Sequence, residues 1–157
     1  MDREWRINRM MRQFNRWGGV GKETWLYDDA SQEIREVIRG KVSLDDREVG
    51  LVAYFHDPGT WTLLTSDRLI GETKSAGFDV DLQAIRRIAP DWRRIPDMWK
   101  GMLDADGKVR ERPVETFIVE ADQKTYTVSI EGPFKSLPHL GLWNATLIAM
   151  RGRPERS

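Results

Sequence analysis

"EVGLVAYFHDPGTWTLLTSDRLIGE", residues 48–72, decides the architecture, because its apolar side chains recur with a period close to two. "VGLVAYF" and "WTLLTS" flank "HDPGT", where Pro58 and Gly59 supply turn chemistry, so the stretch predicts a β-hairpin. "SDR" predicts a second tight turn leading into "RLIGE". Further on, Phe78, Val80 and Leu82 alternate with Asp79 and Asp81 in "GFDVDLQAI", the pattern of a half-buried strand. "VETFIVEA" and "KTYTVSIE" predict a last hairpin around "DQK". Tyr126, Val128 and Ile130 take one face of it, and Thr125, Thr127 and Ser129 the other. Six short antiparallel strands are expected from these patterns.

Outside this region the period is helical. In "DREWRINRMMRQFNRW", Ile7, Met10, Met11, Phe14 and Trp17 form an apolar stripe, and Arg3, Arg6, Arg9, Arg12 and Arg16 follow the same period. Residues 2–17 therefore predict a basic amphipathic helix, suited to an anionic membrane surface or an acidic partner. Packing on its own domain with a solvated arginine face is nonetheless the favoured reading of the stripe. "DDASQEIREVIRG" predicts a second helix with an Asp or Ser cap, a stripe of Ile34, Val37 and Ile38, and Gly40 as terminator. A final helix runs from near Pro138 to Met150 with Leu140, Trp143, Leu147 and Met150 as its stripe. Between the strand groups, Ile95, Met98, Trp99, Met102 and Leu103 predict a short amphipathic helix inside a long connection. The fold class is α+β. The chain divides into a basic helix and glycine hinge over 1–24, a domain over 25–150 and a frayed tail over 151–157.

"GGVGKET", residues 18–24, resembles a phosphate-binding loop, but Arg16 stands where its first glycine belongs and Glu23 where its metal-binding hydroxyl belongs. A helix precedes it instead of a buried strand. The glycines are read as a hinge, with Gly18 taking the left-handed position at the helix end.

With 157 residues, the chain suffices for one domain with its own core. It has no cysteine, which excludes disulfides and thiolate metal sites. His56 and His139 are its two histidines and lie far apart. Basic and acidic residues number 25 each, so nucleic-acid binding is not expected. There is no apolar run of about 20 residues and no secretion signal, and a cytoplasmic location is expected. "DADGK", from Asp104, lacks the spacing of a calcium loop. His56 beside Asp57 could make a general base, but no nucleophile lies near them in sequence. No catalytic residue, cofactor or metal ligand is assigned, and the chain is expected not to be an enzyme.

"WTLLTSDRLI", followed by "FDVDLQAIRRI" with its Leu82 and Ile85 step, resembles the bacterial pleckstrin-homology-like (PH-like) domains over about residues 45–150. The resemblance implies a strongly bent antiparallel sheet, a partly open β-barrel capped by the C-terminal helix, with the two N-terminal helices as additions. It also implies seven strands, one more than the patterns supply, which places the seventh in "TWLYD" or "KVRERP". Lipid-binding members carry basic residues at the first hairpin loop, where this chain has His56, Asp57, Pro58, Gly59 and Thr60, so a lipid site there is not implied. Similar folds act as protein-docking platforms. The expected function is a non-enzymatic protein-binding module, such as an immunity or adaptor protein for a single protein partner, as a monomer or homodimer. Trp92, Arg93, Arg94, Met98, Trp99 and Lys100 are its candidate contact residues, being the types that dominate interface energetics. The alternative is a peripheral membrane-associated domain using the arginines of the first helix. An apolar-ligand carrier comes last, because the final helix is expected to fill the mouth of the sheet.

Overall fold

The computed structural model describes residues 3–74, 76–90, 114–131 and 137–151. These residues form three helices, α1 (Arg3–Arg16), α2 (Gln32–Lys41) and α3 (Leu137–Arg151). They also form strands β1 (Thr24–Leu26), β2 (Gly50–Asp57), β3 (Thr60–Thr65), β4 (Arg68–Glu72), β5 (Gly77–Asp81), β6 (Ile85–Pro90), β7 (Val114–Ala121) and β8 (Lys124–Glu131). The class is α+β, as expected. The strands make two antiparallel sheets, ordered β1-β2-β3-β4-β5 and β6-β7-β8, and among the described residues the two do not join into a closed barrel.

Each turn follows from local chemistry. Pro58 and Gly59 separate β2 from β3, and the Asp57 carboxylate accepts from the Gly59 N–H at 2.8 Å. Asp122 and Gln123 close β7 to β8 with φ of 50° and 63°, the left-handed pair that a two-residue hairpin loop needs to match strand twist. Between the sheets, Asp81 caps a 3-10 turn at Leu82–Ala84 by accepting from Gln83 N at 2.8 Å. That turn swings the chain from β5 into β6.

Among the described residues eight strands replace the six assigned from pattern, and "KVRERP" lies outside them. β1 lies in "TWLYD", one of the two places foreseen, and pairs Trp25 with Ala53 at the edge of the larger sheet. β6 was not foreseen, for a physical reason. A register shift between Ile85 and Arg87 leaves Arg86 and Arg87 both exposed and buries Ile85 and Ile88 three residues apart. Such a bulge removes the period of two that identifies a strand.

The five-stranded sheet is covered on both faces. On one, α2 lays Ile38 over Ala53, Trp61, Leu63 and Ile70, with Tyr27 beside them. On the other, Val52, Leu64, Leu69, Phe78 and Val80 meet Phe117, Val119, Val128 and Ile130 of the second sheet, and Met10, Phe14, Leu142 and Ala145 of α1 and α3. Thr62 Oγ1 donates to the Ser129 carbonyl across that interface. Two-sided cover explains why all six residues of β3 are buried.

Three helix details differ from expectation. Ser31 is the N-cap of α2, accepting from Ile34 N at 3.3 Å, but Gly40 lies inside the helix, which ends at Lys41 with Val42 extended. Trp17 falls beyond α1 and is 39% exposed, so the buried stripe of α1 stops at Phe14. In α3 the buried line is Leu142, Ala145 and Ala149, with Leu147 and Met150 only partly buried; the side chains of Leu140 and Trp143 lie outside the described residues. Small residues face inward because α1 packs directly on α3: a Cβ on Gly141 would come within 2.7 Å of Gly19 Cα.

An ion pair between a half-buried arginine and a buried glutamate fastens the approach to β2. Arg68 grips Glu48 through Nε at 2.9 Å and Nη2 at 2.8 Å, and Thr65 Oγ1 donates to the same carboxylate at 2.6 Å. Burial raises the Glu48 carboxyl, but the hydrogen bonds from Arg68, Thr65 and the Asp45 backbone outweigh it and hold the group below its ordinary 4.5. A depressed carboxyl adds stability that is present above the unfolded-state pKa and is lost as pH falls through the folded-state value. The stability gap between wild type and Glu48→Gln should therefore narrow as pH falls from about 5 towards 3 in urea unfolding titrations. A gap that stays constant across that window contradicts this account.

Candidate contact surface on the first helix

α1 carries five arginines against one glutamate, and the fold divides the arginines into two groups. Arg3 and Arg6 turn toward the β3–β4 corner. Arg3 Nη2 and Arg6 Nη2 pair with Asp67 at 3.1 and 3.0 Å, and Arg6 Nη2 also donates to Ser66 O at 2.9 Å. Arg3 Nη1 donates to Arg47 O at 2.7 Å. With Met10 and Phe14 buried, and Ile7 and Met11 packed beside them, these contacts fix which way the helix faces.

Arg9, Arg12 and Arg16 are exposed. At about 100° per residue they fall, together with Trp5, inside a stripe about 60° wide. Trp5 is 44% exposed, and the Arg9 guanidinium carbon lies 4.7 Å from its ring centroid. No ion pair engages Arg9, Arg12 or Arg16 among the described residues. Trp5 joins the stripe on structural grounds; its i, i+4 spacing from Arg9 is the sequence signal for it.

The loop after α1 does hold an anion, and the anion is the chain's own. Gly18 has φ of 61°, the left-handed position expected of it. Gly19 follows because a Cβ there would overlap the Phe14 ring. The Lys22 and Glu23 N–H groups donate to the Glu131 carboxylate at 3.2 and 2.7 Å, and Thr24 Oγ1 donates at 2.9 Å. Glu131 is 2% exposed, so this contact ties the loop at the edge of the larger sheet to the end of β8. Tyr54 lies nearby, and burial, with Glu23, Glu131 and Asp57 around it, pushes its phenol well above the ordinary range.

His56 does not pair with Asp57. Its Nδ1 lies 2.8 Å from Glu23 Oε2, while Asp57 is engaged by Gly59 N. Among the described residues no three His, Asp or Glu side chains converge as a metal site, and no helix is long and apolar enough to cross a membrane. An open cleft at the β4–β5 end of the sheet is lined by Lys41, Trp61, Glu72, Phe78 and Tyr126. Its charged groups are all engaged: Lys41 Nζ meets Glu72 at 2.7 Å, Trp61 Nε1 donates to the same carboxylate at 2.9 Å, and Asp79 pairs with Arg68 at 2.9 Å. The Lys41 and Trp61 hydrogen bonds hold the Glu72 carboxyl below its ordinary value. Trp92, Arg93, Arg94, Met98, Trp99 and Lys100, the 95–103 helix and the "DADGK" turn lie outside the described residues.

No protein-family model matches the chain, and no curated protein or solved structure matches it significantly.

Proposed function

We propose that this chain is a non-enzymatic protein-binding module, a PH-like shell that presents α1 to a single protein partner in an immunity or adaptor role. The PH-like reading is supported by the strand count. β2 to β8 are seven antiparallel strands in two sheets whose facing sides share one hydrophobic cluster, followed by a packed helix, with β1, α1 and α2 placed before them. The observation that carries the binding role is the exposed Trp5, Arg9, Arg12 and Arg16 stripe on a helix whose other two arginines are engaged by Asp67. Tryptophan and arginine are the residue types richest in binding hot spots.

Membrane attachment is the weaker reading. An interfacial helix binds through its apolar face as well as its charge, and here Met10 and Phe14 are 0% exposed inside the core. An apolar-ligand carrier needs empty volume between the sheets, where Phe117, Val128, Ile130 and Phe14 are packed.

Affinity capture from the native host, with wild type beside an Arg9→Glu, Arg12→Glu, Arg16→Glu triple variant, tests the proposal. Wild type should retain one stoichiometric protein and the triple variant should lose it, with both equally folded by circular dichroism. Equal retention by both, or no stoichiometric protein on wild type, overturns it.

A further inference from the structure

The spacing of the α1 stripe carries information about what it binds. Along the helix axis Arg9 to Arg12 is about 4.5 Å, Arg12 to Arg16 about 6 Å, and Trp5 to Arg9 about 6 Å. Three positive groups thus leave the helix in a line staggered across about 60° and about 10.5 Å long along the axis, with an aromatic plate one turn beyond its N-terminal end. Carboxylates on one face of a partner helix, at three- and four-residue intervals, repeat at the same 4.5 to 6 Å or so. Same-face residues on an extended strand repeat at about 6.8 Å, so three of them overrun the line. The arginines accept a row of separate carboxylates, each in a fork-to-fork pair.

From this line we infer that the outer face of α1 docks an acidic amphipathic helix of the partner protein. Three carboxylates at i, i+3 or i+4, and i+7 meet Arg9, Arg12 and Arg16, and an apolar residue one turn further covers Trp5. The inference rests on the protein-binding reading above and adds the chemistry of the partner. Charge complementarity selects the occupant. The described face offers arginines with no carboxylate of their own, and the apolar side that a bilayer would need is in the core.

The test uses the full chain and a cross-linked helical peptide with glutamates at the stated spacing and leucine opposite Trp5. A control peptide has the same composition, with its glutamates distributed around the helix. Fluorescence anisotropy should give a dissociation constant below about 100 µM for the patterned peptide, weakening with added salt. The control peptide and the Arg12→Glu variant should each bind about tenfold more weakly. Replacing the glutamate opposite Arg12 by lysine should restore binding to Arg12→Glu alone. Equal binding of both peptides overturns the inference, because general anion attraction then suffices. So does tighter binding to vesicles containing one-third phosphatidylserine or to a single-stranded oligonucleotide. If the patterned peptide does not bind while host capture still depends on Arg9, Arg12 and Arg16, the helical acidic partner is refuted and the protein-binding function stands. If host capture is also independent of them, both fall.

Discussion

Phe14→Ala should lower the unfolding free energy by about 3–5 kcal/mol, measured as a shift in the urea midpoint at unchanged slope. The ring is 0% exposed and sits where α1, the glycine loop and α3 meet. Gly19 and Gly141 both leave room for it: a Cβ on Gly141 would lie 3.1 Å from Phe14 Cδ2. Because neighbours on three segments are shaped around one ring, the cavity cannot collapse easily, which puts the cost at the upper part of the usual range. The same substitution should loosen α1 and raise amide exchange in α3, its packing partner. A loss of less than about 1 kcal/mol would mean that α1 is an appendage and not part of the core.

Glu131→Ala should cost about 2–4 kcal/mol, because it strips the acceptor from the buried Thr24 Oγ1 and from the part-buried Lys22 and Glu23 N–H groups. Lys22→Ala should cost less than about 0.5 kcal/mol, since its side chain is exposed and only its backbone N–H takes part. Glu131→Gln should fall between, as the amide presents one donor where the loop needs acceptors. Urea unfolding of the three variants checks the order. A Lys22→Ala cost equal to that of Glu131→Ala would contradict the assignment of this loop to an internal carboxylate.

Much of the chain was legible because the relevant signals are local. Apolar spacing placed α1, α2, α3 and six of the strands to within a few residues. Pro58 and Gly59, Asp122 and Gln123, and Gly18 marked turns by the backbone geometry they allow. β6 was hidden because its bulge moves Ile85 and Ile88 off the alternating pattern. The inner face of α3 was legible in part: Leu147 and Met150 pack half-buried against the core as expected. The fully buried Leu142, Ala145 and Ala149 were missed because a helix that packs closely against another turns small residues inward, whereas hydrophobicity alone favours larger ones. Of the contact surface, the five arginines were legible, but their division was not: nothing near Arg3 or Arg6 in sequence points to Asp67, 61 residues beyond Arg6.

By itself the sequence determined the α+β class, the order of the elements and the basic character of α1, because periodicity and turn chemistry act over a few neighbouring residues. Only the tertiary structure decided three things: that both faces of the larger sheet are covered, that "GGVGKET" closes on a carboxylate 108 residues beyond Glu23, and that Arg3 and Arg6 are engaged by Asp67 while Arg9, Arg12 and Arg16 stay exposed with Trp5. Each of these depends on which distant surfaces meet. That choice is made by the summed burial and pairing of segments far apart in the chain, which no local pattern records.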